Sequence, residues 1–185
     1  MGSLNIPNVL TLFRVVMIPF FVLAFLGDSI SNWIAFFIFI IAAITDALDG
    51  YIARKQNIVT DFGKLMDPLA DKLMVMAAFV CFTAVGILHP AVTIIILARE
   101  FLVNGLRGIA SSKGRVIAAD ILGKIKTVSQ DVTVIIILFW QAVSGKPGIL
   151  EIIARAGIWI MTIFTVVSAI NYCLKNSDIF KAENE

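Results

Sequence analysis

Apolar residues run along this chain in six long stretches, and each is separated from the next by short polar or Gly/Pro-rich punctuation. The first covers about 8–26 and stops at the turn signal Gly27-Asp28-Ser29. The second covers about 32–54, and Lys55-Gln56-Asn57 ends it. The third starts near Gly63 and continues to about 88, with Pro68 in its first turns, where a missing N–H matters least. After His89-Pro90 a fourth stretch covers 91–110, closed by Ser111-Ser112-Lys113-Gly114, and a fifth covers 120–143. Ser144-Gly145-Lys146-Pro147-Gly148 is a clear turn before the sixth, 149–174. Each stretch is near the ~20 residues that a bilayer core requires, and a chain inside lipid must satisfy its own backbone as helix. The pattern therefore predicts an all-α, polytopic integral membrane protein of six transmembrane helices. It forms one membrane domain over 1–185: an interfacial segment at 1–7 punctuated by Pro7, a bundle over 8–174, and a polar tail over 175–185.

Composition agrees. Hydrophobic residues make up 59% of the 185 and charged residues 15%, far from the balance of a soluble domain; the mean hydropathy is +0.96. The net charge of +2 is too small to suggest nucleic acid as a partner. Cys81 and Cys173 both fall in apolar stretches and read as buried thiols. The first residues lack the pattern of a cleavable signal peptide, and Ile6 stands where myristoylation prefers Ser or Thr.

The position of the charges matters more than their sum. If the N-terminus, the second and fourth connections and the C-terminus share one side, that side carries Arg54, Lys55, Lys64, Lys113, Arg115, Lys124, Lys126, Lys175 and Lys181. The other side carries only Lys146 and Arg155. Cytoplasmic loops are the Lys/Arg-rich ones, so both termini are expected in the cytoplasm, at the cytoplasmic membrane. There is no internal repeat, which argues against an inverted-repeat transporter.

Residues 46–71 hold the densest chemistry. Asp46, Asp49, Gly50 and Ala53 recur at i, i+3, i+4 and i+7; Gly63, Asp67 and Asp71 recur at i, i+4 and i+8. Each set is one face of a helix. Two such faces opposed would gather four carboxylates beside bare backbone. Like charges raise one another's pKa values, and a divalent cation resolves the conflict. An all-carboxylate donor set suits hard ions, Mg²⁺ or Mn²⁺. Gly50, Ala53 and Gly63 read equally well, by spacing alone, as close helix packing.

The spacing D-x2-D-G-x2-A-R-x8-G-x3-D-x3-D is matched at all eight fixed positions, and it resembles the signature of the CDP-alcohol phosphotransferases. The resemblance implies two divalent cations held by Asp46, Asp49, Asp67 and Asp71 on the diphosphate of a CDP-linked lipid. It implies Asp71 as general base toward the acceptor hydroxyl. It places cytidine against Gly50, Ala53 and Gly63, with Arg54 on the diphosphate, and makes Asp61 and Thr60 candidates to read cytosine. It further implies a homodimer.

A second, basic set lies in the fourth and fifth stretches. Arg99 is about nine residues into its stretch, roughly 14 Å along a helix, where an ionised side chain is costly and usually functional. Arg99, Arg107 and Lys124 are assigned to an anion; Lys113 and Arg115 are assigned to anchoring at anionic lipid. Glu100 and Asp131 are assigned the structural role of neutralising surplus cations. Asn8-x2-Thr11-x2-Arg14 reads by itself as an interfacial stripe. Together with Ala98-Arg99-Glu100-Phe101 and Gly123-Lys124-Ile125-Lys126-Thr127, it resembles the subfamily that makes phosphatidylglycerophosphate. On that resemblance Thr11, Arg14 and Lys126 join the acceptor-phosphate set. The implied reaction joins CDP-diacylglycerol to glycerol 3-phosphate and releases CMP. A cardiolipin synthase or another alcohol transferase is the alternative within the family. A divalent-cation transporter is the alternative outside it, disfavoured because Arg54 and Lys64 flank the acids. The sixth stretch carries no functional marker.

Overall fold

The computed structural model describes the backbone of residues 6–56, 61–112, 120–143 and 146–176, and side chains within 12–28, 30–46, 72–112, 120–143 and 146–176. The described residues form six α-helices and no strand: α1 (Ile6–Phe25), α2 (Ser29–Gln56), α3 (Asp61–Ala84), α4 (Pro90–Ser112), α5 (Ile121–Val143) and α6 (Ile149–Lys175). The expected elements are all present, with shifted ends. α1 begins at Ile6, so Pro7 lies in its first turn, where its missing N–H is no loss. α3 ends at Ala84, four residues short of the expected end, because Gly86 takes φ +77°. That left-handed residue lets Ile87 N–H donate back to the Phe82 carbonyl at 2.9 Å, which closes the helix.

The turns have identifiable causes. Asp28 caps α2: its Oδ1 accepts from Ser31 N–H and from Ser31 Oγ, both at 2.9 Å. These bonds hold the Asp28 carboxyl below its usual pKa. Gly27 is needed beside this cap, since a Cβ there would sit 2.8 Å from Ser31. His89 precedes Pro90 and opens α4, with Val92 N–H donating to its carbonyl at 2.9 Å. Trp140 Nε1 donates to the Lys146 carbonyl at 3.0 Å and fastens the turn between α5 and α6.

α1 packs against α2 and α3, α2 against α5, α5 against α6, and α4 against α6 and α3. The core joins Phe21, Phe25, Phe39, Phe79 and Phe82 to small residues, Ala35, Ala42, Ala78 and Ala154, which let helices approach. Phe25 meets Phe82 edge-on at 5.2 Å between centroids. Cys81 is buried, Cys173 is half-buried, and both are free thiols. The outer faces are also apolar: Leu23, Ile30, Ile94, Ile121, Trp159 and Leu174 are all exposed. Among the described residues α6 is the helix long and apolar enough throughout to cross a membrane. Within the described side chains, α1, α2 and α3 contribute the apolar stretches Leu12–Phe25, Ile30–Asp46 and Lys72–Ala84.

Close packing of α5 on α6 depends on Gly157, where a Cβ would lie 3.0 Å from Thr133 Oγ1 and 3.2 Å from its Cγ2. Gly157→Leu is expected to destabilise the bundle by roughly 1–3 kcal/mol through overpacking. Thermal unfolding in detergent should show the loss, and adding Thr133→Ala should recover part of it. An unchanged melting temperature would mean that α5 and α6 are not so tightly apposed.

Candidate active site

The site is assembled at the end of the bundle where α2 stops, α3 starts, α4 stops and α5 starts. α2 is unbroken from Ser29 to Gln56, so Asp46, Asp49, Gly50 and Ala53 hold successive register positions on one helix face, and Arg54 follows. α3 is unbroken from Asp61, so Gly63, Asp67 and Asp71 do the same on the next helix. Of the motif carboxylates, Asp46 has its side chain among those described. The side chains of Thr11, Asp49, Gly50, Ala53, Arg54, Asp61, Gly63, Asp67 and Asp71 lie outside the described residues, as do Thr60, Lys113 and Arg115 entirely.

Asp46 is half-exposed, and its Oδ1 accepts from Nη1 of Arg14, a side chain only 1% exposed. The pair lines a small cavity of about 70 Å³ with Phe39, Met74, Val75 and Asp131. Arg14 is thus committed to the first aspartate of the motif and lies apart from the arginines of α4. A guanidinium on one carboxylate oxygen leaves the other oxygen with open acceptor sites. It orients the group in the way that outer partners orient metal ligands. Among the described residues no cluster of three or more His, Cys, Asp or Glu stands ready for a metal. A donor set of carboxylate oxygens with one member held by Arg14 is chemically suited to a hard divalent cation.

The second half of the site is a cavity of about 460 Å³ enclosed by α3, α4, α5 and α6. Arg99, Arg107 and Lys124 all line it, as the eight-residue spacing on α4 suggests. Lys72, directly after Asp71, lines it as well. Lys126 does not. Two residues on a helix are about 200° apart, so Lys124 faces the large cavity while Lys126 turns into a smaller one of about 40 Å³ with Gln130 and Asp131. The expectation placed both lysines in the acceptor-phosphate set, and the helix turn separates them.

Glu100 is the centre of the polar interior. It is 4% exposed. Its Oε1 accepts from Arg99 Nη1 at 3.0 Å and from Lys126 Nζ, and its Oε2 meets Lys72 Nζ at 3.0 Å. Lys72 Nζ also donates to Asn104 Oδ1 at 2.8 Å. One carboxylate of α4 therefore ties together cations from α3, α4 and α5, which is the neutralising role expected of it. Arg99 Nη2 donates to Ser168 Oγ of α6 at 2.8 Å. The guanidinium also packs beside Gly123 of α5, where a Cβ would meet Nη2 at 3.6 Å, an ordinary contact distance. Arg107 lies over the ring of Tyr172, its Cζ 5.9 Å from the centroid, at cation–π distance. Asp120, ahead of α5, accepts from Asn171 Nδ2 and, at 3.3 Å, from Lys175 Nζ, so the end of α6 is fastened beside the same cavity.

Lys72, Ser168 and Tyr172 are site-lining residues that sequence reasoning passed over. Lys72 had a signal, its place next to Asp71. Ser168 and Tyr172 had only an i, i+4 spacing on an otherwise apolar helix.

A helical bundle carrying this motif at the junction of α2 and α3 defines a class. The profile of the CDP-alcohol phosphatidyltransferase family matches residues 4–168, and the chain belongs to that family. It is similar, at 39% identity over 97% of this chain and 99% of the relative, to the CDP-diacylglycerol–glycerol-3-phosphate 3-phosphatidyltransferase of Bacillus subtilis (strain 168). Proteins of the same name from Rickettsia felis, 36% identical over 91% of this chain and 93% of theirs, and Shigella flexneri serotype 5b, 38% identical over 91% and 92%, are also similar.

Removing Glu100 leaves the buried Arg99 and Lys126 facing each other without a counter-charge, with the partly exposed Lys72 beside them. Glu100→Ala is expected to destabilise the protein by about 3–5 kcal/mol, the usual penalty for orphaning a buried ion pair. Denaturant or thermal unfolding in detergent checks this. A variant as stable as the wild type would show that other groups hold α3, α4 and α5 together.

Proposed function

We propose that this chain is a multi-pass membrane enzyme that transfers the phosphatidyl group of CDP-diacylglycerol to glycerol 3-phosphate. The acceptor hydroxyl oxygen bonds to the lipid phosphorus as the bond to CMP breaks, giving phosphatidylglycerophosphate and CMP. The observation that carries this reading is the pairing of two anion stations. The motif of α2 and α3 supplies one, and the cavity lined by Arg99, Arg107 and Lys124 supplies the other. The names of the similar proteins agree with it.

The membrane setting is supported by the apolar outer faces of the helices and by the span of α6. Lys and Arg concentrate at the end of the bundle that bears the motif, so the positive-inside rule puts the site and both termini in the cytoplasm, where CDP-linked substrates are made accessible. The whole chain is taken as one membrane domain, and the family resemblance implies a homodimer.

Asp46, Asp49, Asp67 and Asp71 would hold two divalent cations, Mg²⁺ or Mn²⁺, as family membership implies. When bound, such ions supply charge stabilisation to the attacking and leaving oxygens of a displacement at phosphorus. The chain's own residues do the rest. Arg14 fixes the Asp46 carboxylate. Asp71 takes the proton of the acceptor hydroxyl, a role it can fill from one turn beyond Asp67. Arg54 bonds the diphosphate with a planar fork, and Gly50, Ala53 and Gly63 admit the cytidine close to backbone. Thr60 and Asp61 lie beside it in sequence, placed to read cytosine. Arg99, Arg107 and Lys124 hold the acceptor phosphate. Lys72, one residue past Asp71, spans from the motif helix to the acceptor cavity. Lys126 acts on that cavity through Glu100, Arg14 serves the motif side through Asp46, and Thr11 keeps its expected place in the acceptor-phosphate set.

The decisive experiment is an acceptor panel. Purified protein with CDP-diacylglycerol and Mg²⁺ is offered glycerol 3-phosphate, serine, inositol phosphate and phosphatidylglycerol, with CMP release as readout. Glycerol 3-phosphate should be preferred; a preference for phosphatidylglycerol would make the chain a cardiolipin synthase. Asp67→Asn and Asp71→Asn should each abolish CMP release in a folded, inserted protein, and EDTA should silence the wild type until Mg²⁺ or Mn²⁺ is restored. Substantial activity in either Asn variant would refute the carboxylate assignment.

The basic cavity makes a separate prediction. Charge-assisted hydrogen bonds to phosphate contribute about 1.5–3 kcal/mol each. Arg99→Ala, Arg107→Ala and Lys124→Ala should therefore each raise KM for glycerol 3-phosphate by roughly 10- to 100-fold, with little change for CDP-diacylglycerol. Arg99→Lys should fall between, because it keeps charge and loses the fork. Lys113→Ala and Arg115→Ala serve as controls. Equal losses for all of them would point to a diffuse surface field instead of a pocket.

A further inference from the structure

α6 looks, from its sequence, like a plain membrane span, yet both arginines of the large cavity rest on it. Arg99 donates through Nη2 to Ser168 Oγ at 2.8 Å, and Arg107 sits 5.9 Å over the Tyr172 ring. Ser168 and Tyr172 are one turn apart, whereas Arg99 and Arg107 are two turns apart on α4, roughly 6 Å against 12 Å of rise. The two arginine side chains thus converge as they cross from α4 to α6. Both α6 residues are buried, Tyr172 at 5% and Ser168 at 3% exposure.

Two buried donors in this cavity wall have no hydrogen-bond partner among the described residues: the Tyr172 hydroxyl and Arg99 Nε. Both belong to residues that line the cavity. An orphaned buried donor is unfavourable by about 1–3 kcal/mol, and native interiors keep few of them. Arg99 Nε can only donate, and a phenol hydroxyl bonded to an anion donates too. A ligand rich in acceptor oxygens is the kind of partner such donors lack.

We propose that the Tyr172 hydroxyl is a hydrogen-bond donor to the phosphate of the acceptor alcohol. With it, Ser168 is the positioning residue that holds the Arg99 fork toward the same phosphate. This rests on the reading of the cavity as the acceptor site, and it makes α6 part of the specificity for phosphorylated acceptors. A neutral alcohol gains nothing from these donors and leaves them orphaned, so the cavity disfavours it.

The test uses the purified full chain in detergent with CDP-diacylglycerol and Mg²⁺. Tyr172→Phe removes one oxygen and keeps the ring beneath Arg107. It is expected to raise KM for glycerol 3-phosphate about 10-fold or more, leave KM for CDP-diacylglycerol unchanged, and narrow the preference for glycerol 3-phosphate over glycerol. Ser168→Ala is expected to raise the same KM by a smaller factor, with Ser168→Thr restoring it. Melting temperatures separate binding from scaffolding: losing an orphan hydroxyl leaves Tyr172→Phe as stable as the wild type or more so. A Tyr172→Phe enzyme with wild-type KM beside Arg99→Ala and Arg107→Ala enzymes with raised KM overturns the role of Tyr172 and leaves the acceptor cavity standing. Wild-type KM in all three overturns both. Equal rises for both substrates would make Tyr172 a packing residue and also overturn the proposal.

Discussion

One buried carboxylate organises the polar end of this bundle. Glu100 accepts from Lys72, Arg99 and Lys126, which come from three different helices. Cations do not gather in low dielectric unaided, because each loses hydration and repels the others. Glu100 makes the gathering possible, and a single negative charge offsets only part of what it gathers. The neighbouring cavity is lined by the cations Lys72, Arg99, Arg107 and Lys124 against the carboxylates Glu100 and Asp120, so cations outnumber acids there. The interaction that holds α3, α4 and α5 together therefore also positions a cation of the proposed acceptor site. Structure and chemistry cannot be altered independently there.

That arrangement explains the division of the molecule along its length. Away from the motif the helices meet mainly through phenylalanines and alanines, with neutral polar ties such as that between the Thr83 and Thr93 hydroxyls at 2.6 Å. Toward the motif the pairing becomes ionic: Arg14 with Asp46, the Glu100 cluster, and Asp120 with Asn171 and Lys175. Under the proposed reaction, a lipid donor and a water-soluble phosphorylated acceptor would meet at this boundary between apolar and ionic packing. α3 connects the two stations directly, because Asp71 and Lys72 are neighbours on it and Lys72 reaches Glu100 and Asn104 on α4.

Much of this was legible along the chain. The six elements follow from backbone satisfaction in an apolar run, a local rule, and their ends were missed by a few residues where a single glycine or cap decided them. The motif on α2 and α3 was legible because its spacing lies within single helices and its carboxylates have few other uses. The convergence of Arg99, Arg107 and Lys124 followed from helical periodicity on α4 together with charge at the start of α5. The neutralising role of Glu100 followed from the cost of unpaired charge at membrane depth.

What the sequence by itself determined is what periodicity and composition encode: the number and type of elements, the apolar surface, the carboxylate motif and the presence of a basic cluster. Tertiary structure alone decided the partners. It set Arg14 on Asp46 across 32 positions and turned Lys126 away from Lys124 toward Glu100. It also brought Ser168 to Arg99 across 69 positions. Helix periodicity places a residue on a face but carries no information about which face of which other helix it will meet. That is fixed by how side-chain volumes such as Gly157 against Thr133 let the helices approach, and by which buried charges must find each other once they have.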